Sequence, residues 1–274
     1  MRLALGMPSP LKILALAVIL PMSAILLHET VSPASAELQA IASRQQKEKK
    51  VFTDAEITDG FMKTAFGAEY HLAGRVDRIR KFDKPVRIFV AGPQRADRRK
   101  QLANVTADIG RHIPNIDIAL TDNRDDANVI VTLVKDHDLD KAIRKFYGAD
   151  NARDIRRSLD PQCLSGFRKN DRYEIEHSEV ILAIDAGDFV FLDCAYEELL
   201  QSLGPINDTD SVPWTMFNDD VSMGFFDIYD QFIMNILYDP RIKAGMTVTD
   251  VRPLLPDILT DVRASIAKLN DTKP

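Results

Sequence analysis

Apolar residues occupy every second position in several segments of the chain, a pattern that is typical of half-buried β-strands. In the first of these segments, KPVRIFVAG, the alternating positions are Val86, Ile88 and Val90. Further strands are predicted from three later segments, NIDIAL, ANVIVTLV and YEIEHSEVILAID. The stretch before the last segment carries Cys163 and is predicted to be a loop.

Other segments place apolar residues three or four positions apart, which predicts helices. Leu102, Val105 and Ile109 follow this spacing after the first strand. Later helices are predicted from DLDKAIRKFYG, GDFVFLDCAYEELLQSLG, FFDIYDQFIMNILYDP and the tail TVTDVRPLLPDILTDVRASIAKLN, which its prolines divide. Gly148 and Gly204 stand where the first two of these helices end, as glycine often does at a helix C-terminus.

The order of these elements is strand, helix, strand, strand, short helix, strand, helix, loop and helix. One sheet covered by helices in this order predicts an α+β fold. The sheet and its helices are assigned to a core domain over residues 81–250. Residues 37–80 are charged and helix-prone, and we expect a helical arm there that docks in part on the core. Residues 251–274 are predicted to form a helical tail.

The first 36 residues have the pattern of a secretory signal peptide. Arg2 and Lys12 precede an apolar run over residues 13–27. Ala34 and Ala36 fit the small-residue cleavage pattern before Glu37. A retained membrane anchor is the alternative, but a spanning helix normally needs about 20 apolar residues. We therefore expect cleavage after Ala36 and a periplasmic or secreted protein, with membrane contact only through this segment if it is kept.

Charge and motif content exclude several classes of function. Removal of residues 1–36 leaves 33 basic and 40 acidic side chains, a formal charge of −7. An acidic chain without a clustered basic face is not expected to bind nucleic acid. The sequence also contains no glycine-rich phosphate-binding motif and no G-x-S-x-G frame, so nucleotide binding and serine hydrolysis are unsupported.

The chain contains two cysteines, Cys163 and Cys194. An even number of cysteines in an exported chain predicts a disulfide bond. The alternative is two separate buried thiols. Two cysteines alone cannot complete a structural zinc site.

The segment EELLQSLGPIN has the spacing of the metzincin zinc-protease signature H-E-x-x-H-x-x-G-x-x-H, to which a methionine turn belongs. The matched positions are Glu197, Gln201 and Asn207 for the three ligands, Glu198 for the general base, Gly204 for the turn glycine and Met216 for the methionine. All three imidazoles are missing. The chain therefore resembles a metzincin whose zinc site is degenerate, and this resemblance implies a zincin-like mixed sheet with a long motif helix and C-terminal helices.

The residues at the ligand positions do not suit zinc, which favours imidazole and thiolate. Glu197 could serve as one ligand, whereas the amide oxygens of Gln201 and Asn207 suit calcium or magnesium better. His177 is the only histidine placed to approach the helix, and a lone histidine is more often a surface or satisfied polar group. The acid-rich segments DTD and NDD could together hold calcium, but without the full loop spacing they are predicted to be surface. We expect no metal and no other cofactor.

Three segments, CAYEELLQSLGPIND, SVPWTMFNDD and LYDPRIKAGM, resemble the bacterial domain-of-unknown-function family 2927. The resemblance covers roughly residues 80–250 and implies an exported or lipoprotein-like protein without an established activity. There is no cysteine near residue 36 that could carry a lipid.

These patterns favour a non-catalytic, metallopeptidase-like domain that binds an envelope protein, a peptide or a glycan. Glu197, Gln201 and Asn207 would then line the former ligand site, or Glu197 and Gln201, which share one helix face, would hydrogen-bond the loops that follow the helix. The alternative is an active hydrolase that uses Glu198 with a non-zinc metal or with an unrecognised catalytic set. A purely structural envelope component is a third possibility.

Overall fold

A computed structural model describes residues 33–67, 77–158, 162–205 and 207–271. The signal-peptide prediction rests mainly on residues 1–32, which lie outside the described residues.

Five strands form one mixed sheet in the order β2-β1-β3-β5-β4. The strands are β1 (Val86–Ala91), β2 (Ile118–Leu120), β3 (Val129–Val134), β4 (Cys163–Lys169) and β5 (Ile175–Ala183). The strands β1, β2, β3 and β5 run parallel to one another, whereas β4 runs antiparallel to β5 at one edge of the sheet. The central strands are rich in β-branched residues, and Val129, Val131 and Val180 are fully buried, as expected for parallel strands covered on both faces.

The helices of the described residues pack around this sheet and on one another. They are α1 (Pro33–Lys47), α2 (Asp54–Ala65), α3 (Ala96–His112), α4 (Leu139–Tyr147), α5 (Ala149–Ser158), α6 (Asp188–Gln201), α7 (Ile228–Leu237), α8 (Val248–Val251) and α9 (Leu255–Leu269). All ten residues of α7 are buried. Because α7 contacts both α2 and α9, it forms the centre of the helical layer.

The predicted docking of the N-terminal arm is visible in α1 and α2. Thr53 and Glu56 form a capping box at the start of α2, and Ile57 and Phe61 of this helix are fully buried in the main core. In α1, Oε2 of Glu37 accepts hydrogen bonds of 2.7 and 3.0 Å from the backbone N–H groups of Asp188 and Phe189. The Glu37 carboxylate therefore caps the positive N-terminal end of α6.

The predicted α+β fold is confirmed, and the four predicted strands and the predicted helices are present near the expected positions. Two details of the sequence interpretation were wrong. The segment at Cys163, expected to be a loop, is the edge strand β4, and α5 was not predicted. The β4 segment CLSGFRK lacks regular alternation, so only its pairing with β5 makes it a strand.

The predicted disulfide is also present. Cys163 at the start of β4 is bonded to Cys194 in α6, with a Cα–Cα distance of 5.8 Å. The bond attaches the edge strand of the sheet to the helix that carries the metzincin-like motif. A disulfide indicates a location outside the cytoplasm, where thiols are not kept reduced.

None of the helices within the described ranges combines the length and apolar character that a membrane span needs.

Candidate functional site

The motif helix α6 follows β5 directly and brings the motif to the side of the sheet that carries β4. The helix ends at Gln201, and Gly204 lies two residues after its C-cap with a φ of +143°. A Cβ atom at this position would lie 2.3 Å from the carbonyl oxygen of Arg80. Glycine is therefore required at position 204, because no other residue fits both this conformation and this contact.

Gln201, at the second ligand position, is buried between β4 and the loop after the helix. Its Oε1 accepts a hydrogen bond of 3.3 Å from the Ser165 hydroxyl on β4. Its Nε2 donates a hydrogen bond of 2.7 Å to Oδ1 of Asp208. Both ends of the amide are therefore engaged in joining the edge strand to the loop.

Asn207, at the third ligand position, faces another part of the molecule. Its Nδ2 donates hydrogen bonds to the carbonyl oxygens of Lys63 at 2.7 Å and of Asp208 at 3.3 Å. Lys63 lies in the last turn of α2, so Asn207 fastens the loop to the N-terminal helices. The structure thus directs Gln201 towards β4 and Asn207 towards α2.

Glu197, at the first ligand position, meets two aspartates from the loops. One carboxylate oxygen from each of Glu197, Asp208 and Asp219 lies within 4.8 Å of the other two. We name these three residues the carboxylate cluster. The motif alignment does not include Asp208 or Asp219, and the only sequence signal for them was the acid-rich character of DTD and NDD.

The carboxylate cluster brings three acidic groups together at a partly buried position. Burial raises the pKa of Glu197 well above its ordinary value, and the nearby charges of Glu198, Asp208, Asp193 and Asp219 raise it further. Burial and the neighbouring Asp220 also raise the pKa of Asp219. Glu197 and Asp219 therefore keep their protons more readily than ordinary carboxyl groups unless a nearby cation offsets the charge.

Glu198, at the general-base position, is 6% exposed. The donor set around it differs from that of a zinc peptidase, since every possible ligand in the cluster is a carboxylate oxygen. His177 does not join the cluster, because its Nε2 lies 2.8 Å from Oε1 of Glu179. Within the described ranges, the arrangement offers oxygen ligands for a hard cation and no imidazole for zinc.

Met216 is buried, and its turn is held by a residue that the sequence interpretation did not identify. The backbone N–H of Met216 donates to Oδ2 of Asp230 at 3.1 Å, and the Thr215 hydroxyl donates to Oδ1 at 2.5 Å. Asp230 lies in α7 without exposed surface, and burial raises its pKa to about 7. An acid inside the otherwise apolar segment IYDQFIMNIL was the signal that could have revealed it.

A groove lies beside β4 on the side of α4. It has a volume of about 390 Å³, and its lining includes Tyr147, Gly166, Phe167, Arg168 and His177. The groove therefore combines aromatic and charged side chains of α4, of the edge strand β4 and of its neighbour β5.

A family model with the description "Protein of unknown function (DUF2927)" matches residues 54–257, well over half of the chain. No curated protein and no solved structure shows a significant match.

Proposed function

Because the chain belongs to the DUF2927 family, whose description states no activity, we propose from the site itself that it is an exported, non-catalytic binding domain. In this proposal a zincin-like frame holds an extended peptide along the edge strand β4. The disulfide supports a location outside the cytoplasm, in the periplasm or beyond it.

The zincin-like part of the proposal is supported by the order of the elements. A mixed sheet with an antiparallel edge strand is followed at once by the motif helix, and the buried Met216 follows that helix in the chain. This is the arrangement that the metzincin resemblance implies. No activity follows from the fold alone, because one fold can carry many functions.

The observation that carries the proposal is the position of the Gln201 amide. This group stands where a metzincin has its second zinc ligand, yet it joins Ser165 of β4 to Asp208. The amide of Gln201 therefore joins the edge strand to the loop after the helix. A carboxylate cluster without imidazole would not supply the zinc Lewis acid that peptide hydrolysis in a zincin needs.

The edge strand supplies the physical basis for peptide binding. Within the described residues, β4 pairs with β5 on one side only. An extended peptide could add to the other side of β4 through main-chain hydrogen bonds, and the groove at Phe167 and Arg168 could contact its side chains. We therefore favour a peptide over a glycan, since strand addition requires a polypeptide backbone.

A direct test uses fluorescein-labelled, reduced and carboxymethylated α-lactalbumin as an unfolded polypeptide. We expect its anisotropy to rise on addition of the purified full chain. Hydrogen exchange of the complex should show protection of the amides of residues 163–169. The other edge strand, β2, is the internal control and should exchange at an unchanged rate.

No binding, or equal protection of β2 and β4, would contradict strand addition at this site. Binding of peptidoglycan fragments in place of the polypeptide would favour the glycan alternative. Cleavage of both ligands has to be followed in the same assays, because turnover would overturn the non-catalytic assignment.

The alternative function is hydrolysis assisted by a non-zinc metal, and the position of Glu198 beside the carboxylate cluster is the observation in its favour. It predicts cleavage of fluorescent casein that a chelator abolishes and that Glu198→Gln removes. Under the binding proposal, neither the unmodified protein nor the variant cleaves casein.

The export part of the proposal is tested by N-terminal sequencing of the mature protein. We expect the first residue to be Glu37. Cleavage at this point would keep the carboxylate that caps α6. A first residue beyond 37 would remove this cap and contradict the predicted site.

A further inference from the structure

The groove beside β4 carries positive charge that has no carboxylate partner among the described residues. Lys145 of α4 and Arg168 of β4 line it, and both side chains are exposed. Within the described part of the chain, no carboxylate lies within 4.0 Å of either cation. Glu179 also lines the groove, but its Oε1 lies 2.8 Å from Nε2 of His177. The groove therefore offers two cations to a ligand and keeps its own carboxylate paired.

These side chains lie on one face of the sheet. Arg168 is opposite His177 in the β4–β5 ladder, and Gly166 is opposite Glu179. Directly opposed residues of an antiparallel pair point to the same face, so all four positions share it. A Cβ atom at Gly166 would lie 2.5 Å from the Tyr147 hydroxyl, so α4 comes close to the strand here. The groove thus lies between α4 and the face of β4 that carries Arg168.

A peptide that adds to β4 would bring every second side chain to this face. Directly opposed residues of neighbouring strands have Cβ atoms about 4.5–5.5 Å apart. An acidic side chain opposite Arg168 would therefore be within reach of an ion pair. Lys145 lies on the α4 side of the same groove, so the acid would meet a second cation there. A basic side chain at this position would meet the same two charges with the opposite sign.

We propose that β4 selects extended peptides that carry acidic side chains on the face turned to Lys145 and Arg168. This inference rests on the proposed strand addition and names the class of peptide that the strand prefers. Opposite charges on facing strands stabilise their pairing, and like charges destabilise it. The two cations therefore determine which peptides bind best, whereas the main-chain hydrogen bonds provide affinity for any extended peptide.

A second copy of the chain fits this edge less well than an acidic peptide does. The segment CLSGFRK contains two cations, Arg168 and Lys169, and no aspartate or glutamate. Pairing of β4 with β4 of a second copy would bring these cations together without a compensating charge. Charged side chains on an edge strand commonly prevent such self-pairing.

The net charge of the chain favours the opposite class of peptide. The sequence has 35 basic and 41 acidic residues, a formal charge of −6. This overall charge attracts basic peptides and repels acidic ones. At physiological ionic strength, charges more than about 8 Å apart are largely screened, so the cations of the groove should dominate for a peptide bound at β4. A preference for acid would therefore show that the peptide is bound at the groove.

The test uses three fluorescein-labelled peptides, TVEVTVEVT, TVQVTVQVT and TVKVTVKVT, which differ only in two residues of one face. Each is titrated with the purified full chain at an ionic strength of about 0.15 M and followed by anisotropy. We expect the acidic peptide to bind about threefold tighter than the neutral peptide and at least about tenfold tighter than the basic peptide. Hydrogen exchange should show protection of the amides of residues 163–169 with the acidic peptide.

The double variant Lys145→Gln/Arg168→Gln should bring the affinity ratio of acidic to neutral peptide to about one. The affinity for the neutral peptide should stay unchanged, because strand pairing uses the main chain. Lys169→Gln is the matched control. It removes a charge from the next residue of β4, which does not line the groove and lies with its Nζ 4.1 Å from the centre of the Tyr173 ring. This variant should keep the ratio of about three.

Equal affinity for the three peptides, or tightest binding of the basic peptide, would overturn acid selectivity and leave strand addition intact. Absence of binding by all three would overturn both. A loss of the ratio in Lys169→Gln as large as in the double variant would show general attraction to the basic side chains of the edge, and would also overturn the assigned groove.

Two further measurements separate other occupants. Dextran sulfate that binds as tightly as the acidic peptide, without protection of residues 163–169, would identify a general anion surface in place of a peptide site. Sedimentation that shows a dimer, with the same amides protected in the absence of peptide, would assign β4 to a second copy. A monomer whose β4 amides become protected only with peptide supports the proposal.

Discussion

Nε2 of Gln201 donates a hydrogen bond of 2.7 Å to Oδ1 of Asp208, and this contact joins the end of the motif helix to the loop beyond it. The same amide accepts from Ser165 on the edge strand. Gln201 thus joins the edge strand to the loop after the helix, and substitution of this residue should lower the stability of the fold.

Gln201→Glu should lower the free energy of unfolding by about 2–3 kcal/mol at neutral pH in the presence of a chelator. The substitution replaces a buried donor by a carboxylate that faces Asp208, so a hydrogen bond is lost and a like-charge contact is gained. Urea unfolding followed by circular dichroism measures the change. Gln94→Glu, at an exposed position, is the control and should change stability by less than about 0.5 kcal/mol. Equal effects of the two substitutions would contradict the assigned role.

Gly204→Ala should destabilise the protein more than Gly148→Ala does. Both glycines have positive φ, at +143° and +81° respectively, but only the Gly204 position would bring a Cβ within 2.3 Å of a backbone oxygen. We expect a loss of about 3 kcal/mol or more for Gly204→Ala and about 1 kcal/mol for Gly148→Ala, where nothing lies within 4 Å. Thermal unfolding of the two variants gives the comparison. A similar Tm for both would show that Arg80 can move away at little cost.

The disulfide should contribute about 3–4 kcal/mol to stability, because it closes a span of 31 residues. The variant Cys163→Ser/Cys194→Ser should lose this amount, measured by denaturant unfolding. It should resemble the unmodified protein after reduction. Titration of the denatured, unreduced protein with a thiol reagent should find no free thiol. Two reactive thiols would instead mean that the bond does not form.

Asp230 should make stability depend on pH. Its pKa is about 7 in the folded protein against an ordinary value of 3.8, so the folded state holds its proton more tightly than the unfolded state does. The stabilisation from this proton is complete below about pH 4 and decreases as the pH rises through 7. Its full size is about 4 kcal/mol, since one pKa unit corresponds to about 1.4 kcal/mol.

The measurement is the free energy of unfolding between pH 4 and pH 8 for the unmodified protein and for Asp230→Asn, which cannot titrate. The free energy of unfolding of the unmodified protein, relative to that of Asp230→Asn, should decrease as the pH rises. Parallel profiles would mean that Asp230 is ionised in the folded protein across this range.

Much of the local structure followed from the order of the residues. Alternation at Val86, Ile88 and Val90 predicted β1, and helical spacing predicted α3, α6 and α7. The strand β4 could not be predicted in this way, because CLSGFRK has no regular pattern of its own. It becomes a strand through pairing with β5, a long-range contact that local propensity does not contain.

The candidate site was predictable only in part. The motif spacing identified Glu197, Gln201 and Gly204, and all three lie where α6 meets the following loop. Their partners Asp208 and Asp219 are 11 and 22 residues away from Glu197 in the chain. A spacing rule for one helix cannot show which loop residues contact that helix in the folded chain. For the same reason it could not show that Asp230 of α7 holds the turn at Met216.

The sequence by itself determined the α+β class, most helices and strands, the disulfide and the absence of histidines from the ligand positions. These follow from periodicity, residue type and cysteine number, which act locally or by composition. Only the tertiary structure decided that the carboxylates of Glu197, Asp208 and Asp219 lie close together and that β4 forms an edge of the sheet. Such contacts join distant segments, and they exist because burial of the common apolar core holds those segments together.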